Sequence, residues 1–128
     1  MFLLASCHQT GVFEAKDEGL RVLLRPLESN GTNDTERAFS ARLIPSNTIM
    51  SAMDGNVKTD LAYRMDSCFY FEDERQKYYP DLVQAVASGS KNSFEYLVSF
   101  SESGTRGELF YHDKFLTHKV YRLKPIKE

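Results

Sequence analysis

His112, Asp113 and His118 are the residues whose types and spacing come nearest to a chemical site. Were the last two strands to pair, two imidazoles and a carboxylate would converge on the hairpin, a set suited to a divalent metal or to metal-assisted hydrolysis. Sequence spacing does not bring them together, and histidines on the surface of a hairpin account for the same pattern. Nucleophilic catalysis would need a Ser or Cys activated by a neighbouring base. Cys68 precedes Phe69-Tyr70-Phe71, which reads as apolar core, and desolvation raises a thiol pKa and makes it inert. Ser88, Ser101 and Ser103 stand in turn-like contexts, and no Gly-x-Ser-x-Gly elbow occurs. The carboxylate pairs Asp17/Glu18 and Asp73/Glu74 fall in polar stretches where water solvates them. Calcium loops, zinc-type cysteine pairs, phosphate-cradling glycine loops and dinucleotide fingerprints are missing from the sequence. The expectation is a non-enzymatic chain with no cofactor and no metal, a hydrolase or metal enzyme at the three hairpin residues being the minor alternative.

Tyrosine offers a different chemistry, that of contact. Tyr70, Tyr78, Tyr79, Tyr111 and Tyr121 exceed what a small core must hold, and the ring combines apolar area with a polar tip suited to half-exposed interfaces. Two readings stand side by side: a protein-interaction surface, or side chains that cap the core of a sheet.

The chain that must position these residues has 128 residues, enough for one domain with its own core. Its 41% hydrophobic and 12% aromatic content argues against disorder. Sixteen basic and eighteen acidic residues leave a net charge of −2, too balanced to attract a phosphate backbone, so nucleic acid is not an expected partner. The basic C-terminal run from Lys114 to Lys127 interleaves with Phe115, Tyr121 and Leu123 and reads as a strand with one solvated face.

Hydrophobic alternation supplies the elements. A β-prone run at 20–27 stops at Pro26, and 28–36 is rich in residues that tolerate left-handed backbone and form turns. That loop holds two glycosylation sequons, Asn30-Gly31-Thr32 and Asn33-Asp34-Thr35, which in a bacterial protein are turn residues. Period-two patterns follow at 37–44, at 61–71, at 94–101 and at 109–111, with a last strand at 117–123. Residues 76–80 return from the charged tip 72–75 as a hairpin partner, 46–60 form a loop with a short helix, and 81–88 suit either a short helix or an edge segment. The sum is a mainly β, single-domain antiparallel two-layer sandwich with one or two short helical turns. Its strand count and spacing resemble those of immunoglobulin-like domains, although the chain has no Trp and no matching cysteine pair; a β-barrel or an α+β sheet fits the same pattern.

The first residues concern location. Met1-Phe2-Leu3-Leu4-Ala5-Ser6 runs uncharged into Cys7, and Leu4-Ala5-Ser6-Cys7 resembles the lipobox of bacterial lipoproteins. In that family a peptidase cuts before the cysteine, whose thiol carries a diacylglycerol. The resemblance implies a membrane anchor on Cys7 and a place in the bacterial cell envelope. Six residues without Lys or Arg are shorter than a full export signal, which has a basic start and roughly 7–15 apolar residues, so 1–6 read as a signal-peptide remnant of a longer precursor. The other reading makes 2–6 a short apolar strand and Cys7 a buried thiol. On the lipoprotein reading, 7–19 form a polar tether and 20–128 the sandwich domain; lipidation also excludes a Cys7–Cys68 disulfide. The functional expectation is a small envelope lipoprotein acting as a non-catalytic binding or assembly module for a protein partner. The alternative is a soluble inhibitor or immunity-type protein that blocks a toxin or enzyme.

Overall fold

The computed structural model describes residues 11–27, 36–87 and 89–126. Leu4-Ala5-Ser6-Cys7 and both sequons lie outside the described residues. Among the described residues nine strands form one antiparallel sheet: β1 (Val12–Lys16), β2 (Leu20–Pro26), β3 (Glu36–Pro45), β4 (Phe69–Asp73), β5 (Gln76–Tyr78), β6 (Leu82–Val86), β7 (Phe94–Ser101), β8 (Glu108–His112) and β9 (Val120–Ile126). Two helices, α1 (Asn47–Ala52) and α2 (Gly55–Tyr63), are inserted between β3 and β4.

The order across the sheet is β5-β4-β8-β9-β1-β2-β3-β7-β6. β3 and β4 are therefore separated by five ladder steps, which at ~4.8 Å each would put them about 24 Å apart on a flat sheet. The rings of Phe39 on β3 and Phe71 on β4 lie only 6.3 Å apart, and Phe71 meets Phe100 of β7 edge-on at 4.9 Å. The sheet thus curls until its two halves face each other, which gives the two layers. They are halves of one ladder joined at β9–β1, where immunoglobulin-like domains have two separate sheets.

Alternation decides which side chains enter. Val22 and Leu24 of β2, Phe39, Ala41 and Leu43 of β3, Val98 and Phe100 of β7, and Leu109 and Tyr111 of β8 point inward and are buried. Phe39 is central: it meets Phe13 and Phe100 in edge-to-face geometry at 6.4 and 5.9 Å. Each such pair contributes ~0.5–1.5 kcal/mol beyond the area it buries.

Two expectations are corrected here. The tether expected over 7–19 contains β1, a strand between β9 and β2 with Phe13 opposite both Leu24 and Pro125. Phe13 and Ala15 pack on the core, and this burial holds a stretch whose sequence lacks a clean period. The last strand, expected over 117–123, runs instead from Val120 to Ile126 and takes in Pro125.

The strand expected over 61–71 begins only at Phe69. Its first part is the end of α2, because Val57, Leu61 and Met65 recur every four residues and pack as one stripe against the core. Asp54 follows the end of α1 and caps α2: its carboxylate accepts from Val57 N at 2.9 Å, as Ser46 Oγ accepts from Ile49 N at 3.3 Å for α1. Tyr63, within the period-two pattern read over 61–71, is 79% exposed.

Candidate functional site

The expected chemical residues do not assemble into a site. Asp113 is fully buried beneath the β8–β9 connection. Its carboxylate accepts from the amides of Phe115, Leu116 and Thr117, from Thr117 Oγ1 at 2.8 Å and from Tyr111 OH at 3.3 Å. Every one of these donors lies within four residues of it, so the carboxylate shapes its own loop. His112 lies on β8 between inward-facing Tyr111 and buried Asp113, and His118 is exposed with φ 60°. Among the described residues, no group of three or more His, Cys, Asp or Glu is placed to hold a metal ion. Cys68 is a buried free thiol, and burial pushes its pKa up to about 11. Among the described residues no helix is long and apolar enough to cross a membrane.

A polar network continues from the same loop. Thr117 Oγ1 lies 3.0 Å from Tyr121 OH, which donates to Asp17 Oδ2 at 3.1 Å, and Lys119 Nζ reaches the same oxygen at 3.0 Å. Asp17 Oδ1 accepts from the amides of Gly19 and Leu20. Desolvation raises the Asp17 pKa, but the hydrogen bonds from Lys119, the two amides and Tyr121 together outweigh it and bring it down to about 2. The network ties the β1–β2 turn to the β8–β9 loop and leaves Asp17 ionised.

The tyrosine surface is likewise corrected. Tyr111 and Tyr121 are an inward-facing pair on β8 and β9 and are buried. Tyr78 is half-buried against the core. Tyr70 faces outward but is covered, stacked on Phe110 at 5.4 Å and flanked by Tyr79 and the ammonium of Lys77. Of these five only Tyr79, at 47%, is exposed. Composition counted the rings correctly, but their register places most of them in or against the core.

The surface features that stand out are on the other half of the sheet. Edge strand β6 pairs with β7 from Leu82↔Ser99 to Val86↔Glu95, and its other side carries no strand among the described residues. It contains no charge and no proline, and Leu82 and Val86 are 43% and 47% exposed. The opposite edge, β5, is three residues long, carries Lys77, and is followed by Pro80. Short, charged or proline-flanked edges resist pairing, whereas a longer apolar edge invites it.

Beside β6 the helical insertion opens a groove of about 510 Å³, walled by Met50, Leu61, Ala62, Ala85 and Phe94 and rimmed by Lys58 and Lys91. Tyr96 OH donates to Leu61 O at 2.7 Å, fastening α2 to β7 and fixing the groove floor. Ser93 stands in the wall, its Oγ buried with no hydrogen-bond partner among the described residues. Sequence reading missed the groove because it had no α2. The signal that could have found it was the four-residue repeat Val57, Leu61, Met65 behind the Asp54 cap.

No protein-family model, curated protein or solved structure matches this chain.

Proposed function

We propose that this chain is a small cell-envelope lipoprotein, anchored through Cys7, whose sheet domain is a non-catalytic module that binds a protein partner by strand addition at β6. The binding half of this reading rests on the unequal edges. One is short, charged and followed by proline; the other is an uncharged five-residue strand with Leu82 and Val86 facing water. An extended partner segment added there would gain main-chain hydrogen bonds, and its alternate apolar side chains would lie beside Leu82 and Val86. The anchoring half rests on the resemblance of Leu4-Ala5-Ser6-Cys7 to a lipobox.

Each half has its own test. Intact mass and membrane fractionation of the native product, compared with Cys7→Ser, should show a diacylglyceryl mass and membrane association that the substitution removes. Two soluble forms that both begin at Met1 would refute the anchor and favour the soluble inhibitor or immunity-type reading. For the edge, Leu82→Lys/Val86→Lys places charges at exposed positions, where substitutions change stability by roughly 0.5 kcal/mol or less. The double variant should fold and lose a partner captured by the wild type, and amides 82–86 should gain hydrogen-exchange protection in the wild-type complex. A partner retained by the folded variant would refute strand addition.

A further inference from the structure

We infer that the groove between α2 and the β6–β7 hairpin is a binding site for a single-chain amphiphile with an anionic head. This inference does not rest on strand addition: Val86 borders both the groove and the exposed edge, but the groove would hold its ligand by side chains, whereas strand addition uses the main chain of β6. At about 510 Å³ the groove falls within the range of small-molecule sites, typically ~300–1,000 Å³. Its body is apolar: Met50 and Leu61 on the helical side, Ala85 and Phe94 on the sheet side. Its rim carries Lys58 from α2 and Lys91 from the β6–β7 connection, and neither ammonium makes an ion pair among the described residues. The acidic residue in the lining, Glu95, is bound to Arg42 of β3. The local field is therefore positive over an apolar trough.

A purely apolar occupant would leave the two ammonium groups unused, and a bare anion would leave the trough exposed to water. A chain that lies along Met50, Leu61 and Phe94 with its carboxylate or phosphate between Lys58 and Lys91 satisfies both. Ser93 adds a hydroxyl in the wall that has no partner among the described residues and that a χ1 rotation could turn toward a polar head.

The test is calorimetric titration of the 128-residue chain with decanoate, decyltrimethylammonium and inorganic phosphate, all below micelle formation. Decanoate should bind saturably with one site and about tenfold more tightly than its cationic counterpart, and phosphate should show no saturable binding. Lys58→Gln/Lys91→Gln should weaken decanoate about tenfold, ~1.4 kcal/mol, with an unchanged melting temperature. Ala62→Trp, at an exposed position on the groove wall, should abolish binding by filling the trough. Amide shift changes on decanoate binding should concentrate at the end of α2 and at 85–96. Equal affinity for the two amphiphiles, full affinity in the folded lysine variant, saturable phosphate binding, or no decanoate binding would each overturn the inference.

Discussion

Gly107 lies in the β7–β8 connection with φ 85°, where that connection passes over the end of β4. A Cβ there would sit 2.0 Å from the carbonyl oxygen of Glu72, 2.7 Å from its carbonyl carbon and 2.9 Å from Asp73 Cβ. Two penalties add in Gly107→Ala. Left-handed backbone costs an L-residue roughly 1–2 kcal/mol, and a methyl forced against a strand backbone behaves as overpacking, at ~1–3 kcal/mol. The sum is about 2–5 kcal/mol. With an unfolding entropy of ~2.1 cal/mol/K per residue, a chain of this length loses about 4 °C per kcal/mol, so the melting temperature should fall by roughly 7–20 °C.

Two other glycines separate the penalties. Gly89 has φ 76° but nothing within 4 Å of its would-be Cβ, so Gly89→Ala should cost the backbone part alone, ~1–2 kcal/mol. Gly55, the first residue of α2, meets nothing either and has no positive φ; Gly55→Ala should be neutral or stabilise by up to about 1 kcal/mol. Thermal and urea unfolding followed by far-UV circular dichroism ranks the three variants. If Gly107→Ala melted together with Gly89→Ala, the connection would be free to move off β4, and the steric argument would be wrong.

Three further outcomes are expected. Tyr96→Phe removes the buried bond to Leu61 O; it should cost ~1–2 kcal/mol in urea unfolding and raise hydrogen exchange in α2 more than in β3, and unchanged α2 exchange would refute its role as the fastener. Asp17 has its folded pKa lowered from 3.8 to about 2. A depressed carboxyl contributes stability that is present above its unfolded pKa and lost as pH falls through its folded pKa, so wild-type stability should drop between about pH 4 and pH 2, and Asp17→Asn should flatten that drop. An identical acid limb in both proteins would be inconsistent with the network. Cys68, with its pKa raised to about 11 by burial, should react with iodoacetamide at pH 8 only at the rate of unfolding, and rapid labelling of the native protein mapped to Cys68 by peptide mass would contradict its burial.

Much of the sheet was legible because alternation in a strand follows directly from burial of one face. β3 and β7 were read from Phe39, Ala41 and Leu43 and from Phe94, Tyr96, Val98 and Phe100, which the structure places in register across one ladder. The hairpin β4–β5 followed from its charged tip, where Glu74 and Arg75 take positive φ. β1 and α2 were not legible. Val12–Lys16 is a strand because the core accepts Phe13 and Ala15 from between β9 and β2, and no local pattern declares that. Leu61, Tyr63 and Met65 fit a two-residue period, and Val57, Leu61 and Met65 a four-residue one. The choice between them depended on what the stripe packs against.

The chemistry divides in the same way. Residue types alone established a β-rich domain without a recognisable catalytic motif, a near-neutral charge, and a lipobox-like start. Only the tertiary structure decided that Asp113 holds a loop, that Tyr70, Tyr111 and Tyr121 are buried, and that an uncharged edge and a lysine-rimmed groove share the β6 side of the molecule. The reason is range. Alternation and capping are set by interactions over a few residues, whereas burial of a tyrosine or exposure of an edge depends on which strands the curled sheet brings face to face.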